Sequence, residues 1–281
     1  MKNFLTRAFT SVFIFIIFAL IFATSFYNIV FEAIISILCV MCVYESLNAQ
    51  GFNKSKLLLI SSMVYAFITP LSFAFCSYIN KSPYYLLLSL SFIFVLIFFV
   101  IAMKNFNTVK YGECCAVIFS SIVITAFLSN IILIRTQFKH GLFYMFLAIC
   151  CFAWSTDIFA YLVGVCIGKH RFSPNISPKK SIEGSVGGTI CCVVFSAVAT
   201  FVYSVIMDCS VNYGIVLIYA LLCSLVGQIG DFSFSYIKRS YGIKDFGNLL
   251  PGHGGVLDRL DSLIMISPFF YMLLTFKEFI I

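Results

Sequence analysis

Tyr84–Met103 reads YYLLLSLSFIFVLIFFVIAM, twenty residues without a charge, a proline or a glycine. That length and composition match the ~20 apolar residues a helix needs to cross the hydrocarbon core of a bilayer. A lipid-spanning barrel strand would need only ~10 residues and would alternate polar with apolar positions. In lipid the backbone must satisfy its own hydrogen bonds, which leaves helices or a closed barrel. This run does not alternate, so it reads as a transmembrane helix.

The same reading extends in both directions. Apolar runs cover Ala8–Thr24, Phe26–Tyr44, Leu57–Ile79, Tyr84–Met103, Cys114–Ile134, Leu142–Ile167, Val186–Met207, Tyr213–Ile237 and Leu260–Phe276. Of the 281 residues 62% are hydrophobic and 10% charged, too few polar side chains to clothe a soluble domain. The expected fold is an all-α polytopic integral membrane protein of about nine transmembrane helices. Lys2 and Arg7 before the first run resemble the start of a signal sequence, but no small-residue cleavage site follows, so a retained helix is expected.

With the N-terminus in the cytoplasm, Lys2, Arg7, Lys54, Lys56, Lys104, Lys110, Lys169, Arg171, Lys179, Lys180, Lys238, Arg239, Lys244 and Arg259 share one side. Only Lys81, Arg135, Lys139 and Lys277 fall on the other. Basic residues in short loops favour the cytoplasm, so this asymmetry supports nine spans and a cytoplasmic N-terminus. Residues 1–140 read as N-terminal transmembrane helices. Residues 141–281 read as a catalytic transmembrane region with two cytoplasmic loops, 169–188 and 238–257.

The net charge of +7 suits anionic headgroups and phosphates, while the absence of a soluble basic face argues against nucleic acid. Eleven of the twelve cysteines lie in apolar runs, where they read as small packing residues rather than disulfide partners.

The chemistry concentrates in the second half. Asp157, Tyr161, Gly164 and Gly168 recur at helical spacing on one face of the sixth span. A carboxylate that deep in the bilayer should face a wet cavity or a cation, unless it is a structural aspartate bonded to a hydroxyl of a neighbouring helix. Ser224, Gly227, Asp231, Ser235 and Lys238 form a second such face on the eighth span.

The loop between holds Ser173-Pro-Asn-Ile-Ser177-Pro-Lys179-Lys180, then Glu183 and Gly184. Its two Ser-Pro steps stiffen the backbone and can aim two ammonium groups and several hydroxyls at a polyphosphate. Glycines at the start of the following helix would let a phosphate approach backbone N–H groups. A plain membrane-proximal basic loop is the alternative. In the second loop Gly252, Gly254 and Gly255 flank His253 and allow close backbone approach. Asp258 and Asp261 stand three apart on a helix turn, suited either to Mg²⁺ or to capping that helix.

Taken together, Ser235-x-x-Lys238-Arg239, Lys244-Asp245 and Pro251-x-His253-Gly254-Gly255-x-x-Asp258-Arg259-x-Asp261 resemble the signature of the phosphatidate cytidylyltransferases. The upstream Ser-Pro-x-Ile-Ser-Pro-Lys-Lys-x-x-Glu-Gly stretch is similar too, with Ser181 where threonine is more usual. The resemblance runs from about Asp157 to Asp261. It implies condensation of CTP with phosphatidate to CDP-diacylglycerol and pyrophosphate, in a homodimeric, bacterial inner-membrane enzyme whose site faces the cytoplasm.

It further implies a catalytic set of Asp231, Lys238, Arg239, His253, Asp258 and Arg259, and a substrate-binding set of Asp157, Tyr161, Ser173, Ser177, Lys179, Lys180, Glu183, Gly184, Ser235, Lys244, Gly254 and Gly255. Asp231, Asp258 and Asp261 would hold Mg²⁺ and, with it, a possible second cation. A polyprenol kinase using CTP and a cation transporter are the rival classes. The first would release CDP. The second would use Asp157 and Asp231 as an ion path, but shows no inverted repeat.

Overall fold

A computed structural model describes residues 22–23, 28–52, 56–107, 109–173, 176–250 and 254–280, with Asn28 and Lys179 described by their backbones alone. The expected span Ala8–Thr24 lies outside the described residues apart from 22 and 23. Among the described residues eight helices are long and apolar enough to cross a membrane. They are α1 (Asn28–Ala49), α2 (Lys56–Tyr78), α3 (Tyr84–Lys104), α4 (Tyr111–Gln137), α5 (Gly141–Ile167), α6 (Ile182–Met207), α7 (Tyr213–Ser240) and α8 (Leu257–Phe276). The sheet among the described residues is one antiparallel hairpin, β1 (Arg171–Ser173) and β2 (Ser177–Ser181), with Arg171 opposite Ser181 and Ser173 opposite Ser177.

Several helices overrun the apolar runs that announced them. Helix α6 begins at Ile182 rather than Val186, because Ser181 accepts a hydrogen bond from the Gly184 amide and caps the first turn. The segment 169–188 is therefore hairpin and helix start, not open loop. Helix α7 runs to Ser240, which makes Lys238 and Arg239 part of its last turn, where cations suit the helix dipole. Helix α8 starts at Leu257, three residues before the expected Leu260. Hydropathy misses such ends because polar helical turns continue past the apolar stretch. All twelve cysteines are described, and no disulfide joins them.

The chain divides into two compact units. One takes the described residues up to Thr136 together with Ser240–Leu260. Here Tyr65 of α2 stacks on Phe94 of α3 at 4.6 Å between centroids and its hydroxyl bonds Ser91. Ser77 of α2 donates to Thr136 of α4, and Gln50, just beyond α1, donates to Ser120 of α4. Interhelical hydrogen bonds of this kind hold helices together where lipid offers no hydrophobic contrast.

The other unit takes Gln137–Arg239 and Asp261–Ile281. Helices α5 and α6 meet along a seam of glycines. A Cβ on Gly187 would lie 2.6 Å from Val163, and one on Gly188 would lie 2.7 Å from the Thr156 carbonyl and 2.9 Å from the Ala160 methyl. Small residues are what allow two backbones in lipid to come this close. Gly227 and Gly230 serve α7 in the same way, against Ile266 and Met265 of α8. The middle of α5, Leu147–Ser155, is wound as π-helix. At its end the Ser155 hydroxyl bonds the Cys151 carbonyl and that of Thr156 bonds Phe152, competing with the backbone ladder just before Asp157.

Candidate active site

In the second unit the hairpin, α5 and α7 surround an open cavity of ≈ 250 Å³, lined by Asp157, Ala160, Tyr161, Phe172, Ser177, Lys180, Ser181, Ser185, Gln228, Asp231 and Phe232. Five residues picked out from sequence meet there: Asp157, Tyr161, Ser177, Lys180 and Asp231. The Lys180 ammonium forms an ion pair with Asp231 and lies 4.1 Å from the centre of the Phe232 ring. Phe172 of β1 packs on Phe232 at 4.7 Å, so the aromatic pair walls the cavity beside the ion pair.

The hairpin is tied down at both ends. Glu183 accepts from the amides of Lys169 and His170 at 3.1 and 3.2 Å and pairs with the His170 ring at 2.6 Å. Arg239, in the last turn of α7, donates from Nε to the Ile176 carbonyl at 3.2 Å. Both side chains thus shape the hairpin that carries Lys180. Ser173 is half-buried at the end of β1, whereas the side chain of Lys179 lies outside the described residues. Gly184 spends its amide on Ser181, and a Cβ there would lie 2.5 Å from the Ala160 carbonyl, so its small size serves the helix seam.

Behind Asp231, the Ser235 hydroxyl donates to it at 3.4 Å. Asp261, 6% exposed, is within electrostatic reach of Asp231, Asp157 and Lys238, and Lys238 is itself 8% exposed. Asp157 accepts from the Ser262 hydroxyl at 3.1 Å, the interhelical bond of the structural alternative, while also lining the cavity.

In the first unit the 240–260 segment is organised by carboxylates. Asp258 Oδ2 accepts from the amides of Phe246 and Gly255, each at 2.9 Å. Gly254 has a φ of +83°, a left-handed conformation that glycine alone adopts without strain. Lys244 and Arg259 are exposed. His253 lies outside the described residues.

Sequence reasoning missed four contributors. Gln228 and Ser185 share a hydrogen bond on the cavity wall, and Gln228 Nε2 donates to Thr189 at 2.8 Å. Phe232 supports Lys180. Glu45, in α1, receives the Leu257 amide at 2.8 Å. The available signals were Gln228 standing one turn before Asp231 and Glu45 lying as an acid within an apolar helix.

The model of the cytidylyltransferase family matches residues 5–277. The chain belongs to that family. It is 38% identical over 182 residues to the phosphatidate cytidylyltransferase of Bacillus subtilis (strain 168), covering 65% of each chain. It is 41% identical over 140 residues to that of Staphylococcus haemolyticus (strain JCSC1435), covering 50% of this chain and 51% of the relative. To that of Staphylococcus aureus (strain COL) it is 37% identical over 189 residues, 67% of this chain and 68% of the relative. The alignments thus span between 51% and 68% of these family members' own length.

Metal binding in this family member can be tested against the donor set. Among the described residues no three His, Cys, Asp or Glu side chains form a ready ligand cluster. The chemistry nonetheless fits a hard cation, since carboxylates gather around Asp261 with two lysines nearby. Mg²⁺ commonly takes one or two carboxylates and fills its remaining positions with water and substrate phosphate.

Proposed function

We propose that this chain is a phosphatidate cytidylyltransferase that condenses CTP with phosphatidate to give CDP-diacylglycerol and pyrophosphate. The observation that carries this reading is the Lys180–Asp231 pair lining a cavity at the hairpin, in a member of the cytidylyltransferase family. A cation-bearing wall beside acidic residues is what two meeting anions require.

A phosphate oxygen of phosphatidate attacks the α-phosphorus of CTP, and the bond to the bridging oxygen of the β-phosphate breaks in line, releasing pyrophosphate. No covalent enzyme intermediate is needed. Positioning and charge neutralisation supply the rate. Lys180 and Lys179 neutralise the triphosphate. Arg239 and Arg259 hold phosphatidate or the departing pyrophosphate with bidentate forks, and Lys238 adds a point charge. Ser173, Ser177 and Ser235 offer hydroxyls, Asp157 and Tyr161 line the cavity, and Lys244, His253 and Gly254 contribute to substrate binding, while Gly184 and Gly255, whose amides bond Ser181 and Asp258, act by letting their neighbours pack close. Glu183 acts through the hairpin. Asp231 and Asp261, with Asp258, would hold Mg²⁺, alone or with a second cation. Bound there, the ion supplies Lewis-acid neutralisation of phosphate oxygens.

The same reading gives nine spans with a cytoplasmic N-terminus, a division into residues 1–140 and a catalytic 141–281, a site on the cytoplasmic side of a bacterial inner membrane, and a homodimer. It is tested with purified protein, short-chain phosphatidate, [α-³²P]CTP and Mg²⁺. The expected result is label in the organic phase with stoichiometric pyrophosphate. Release of CDP on addition of a polyprenol, with no label in lipid, overturns it.

A further inference from the structure

Glu45 is 2% exposed in α1, outside the proposed catalytic region 141–281. Its Oε2 accepts the amide of Leu257, 212 residues away, at 2.8 Å, and the Val256 amide also faces the carboxylate. Those amides belong to the start of α8, where the first N–H groups have no carbonyl a full α-helical turn behind them. A carboxylate there satisfies an orphan donor and suits the positive end of the helix dipole.

The fit is tight on both sides. A Cβ on either Gly247 or Gly255 would overlap the Glu45 carboxylate. Asp258, the next residue along α8, holds the same segment from within by its bonds to Phe246 and Gly255. Two carboxylates thus grip one glycine turn, Asp258 from its own helix and Glu45 from a different one. Two carboxylates held this close repel each other when both are ionised, and the backbone amides that engage each of them offset that cost. Glu45 Oε1 has no hydrogen-bond partner among the described residues.

We infer that Glu45 is a positioning residue for the cytidylyl-transfer reaction: it anchors the glycine turn to α1 and so sets the placement of Asp258. Gly255 is glycine because that anchor occupies the space of its side chain. The inference rests on the proposed activity for its kinetic arm and on geometry alone for its structural arm.

The test compares full-length wild type with Glu45→Ala, Glu45→Gln and Gly255→Ala, and with the Glu45→Ala/Gly255→Ala double variant, in detergent micelles. Trypsin cleavage at Lys244 and Arg259, which needs no turnover, reads the anchor. Glu45→Ala should speed cleavage about fivefold or more without a matching fall in melting temperature. Its kcat should fall about tenfold or more, with KM for phosphatidate nearly unchanged and more Mg²⁺ needed for half-maximal rate. Glu45→Gln keeps an acceptor for Leu257 and places its new NH₂ where Oε1 now lies, so it should recover most of the loss. Gly255→Ala should cost less when Glu45 is already alanine, because the overlap is then gone.

Wild-type cleavage and kcat in Glu45→Ala overturn the inference. So do equal losses in Ala and Gln variants that track melting temperature, or additive effects in the double variant. A wild-type protein that transfers no label overturns the proposed activity instead, and the trypsin comparison still decides the anchor.

Discussion

Replacing Lys180 by methionine removes one ammonium and keeps most of the stem that packs on Phe232. In the structure the Lys180 and Asp231 side chains are 30% and 21% exposed. That places the pair between surface ion pairs, worth ~0–1 kcal/mol, and buried ones, whose breakage costs ~3–5 kcal/mol. An intermediate loss of about 1–3 kcal/mol is expected, with cation–π loss included, because Asp231 is left facing Asp261 without its counter-charge. At ~2–4 °C per kcal/mol for a chain of this size, melting should drop by about 2–12 °C. If Lys180 also holds the triphosphate, kcat/KM for CTP should fall about 10- to 100-fold, the worth of one charge-assisted hydrogen bond. The Lys180→Met/Asp231→Asn double variant separates the two effects. Removing both partners should restore melting toward wild type while kcat/KM for CTP stays at or below that of Lys180→Met. Recovery of turnover along with melting would refute the triphosphate role and reduce Lys180 to a counter-ion.

Asp258→Asn keeps the volume but weakens acceptance from Phe246 and Gly255, and should lower kcat about 100-fold while protein yield in membranes stays within twofold, judged by label transfer and quantitative blotting. Gly188→Ala pushes a methyl against the Thr156 carbonyl and Ala160, and should destabilise by about 1–3 kcal/mol, less the ~1 kcal/mol that alanine adds to helix propensity, read as a lower melting temperature. His140 sits between α4 and α5 with Nδ1 2.9 Å from the Tyr203 hydroxyl. Burial, then Lys139, hold its pKa below the usual value, and Glu278 opposes them. The unfolded chain therefore binds the proton more readily. Stability contributed by neutral His140 is full above the ordinary histidine pKa and is lost as pH falls through it toward the lower folded value. Melting between pH 7.5 and 5.5 should fall more in wild type than in His140→Gln.

Sequence made the helices legible because lipid imposes one rule on every span, and an apolar run of ~20 residues has few other meanings. It placed Asp157, Tyr161, Ser177, Lys180 and Asp231 in one neighbourhood because helical spacing and the stiff Ser-Pro steps are local signals. It read Gly184 and Gly255 as openings for a ligand. The structure gives each a neighbour within the chain, the α5 backbone for one and the Glu45 carboxylate for the other. A glycine announces close approach but does not name what approaches. Glu45 escaped notice because its partner lies 212 residues away, and no periodicity spans that distance.

The hydroxyls of Thr156, Ser224, Thr189 and Ser185 form a row joined by Gln228. Hydroxyls alone make such a row reversible, since each can turn its proton either way. An amide cannot do so, because its donor and acceptor ends are different atoms. Ser185 donates to Gln228 Oε1 while Nε2 donates to Thr189, so one side chain gives the row a direction. At Ser185 the cavity therefore meets a hydroxyl whose proton is already committed to Gln228, so that what it has left to offer a ligand is its lone pairs: a compass needle set by an amide on the next helix.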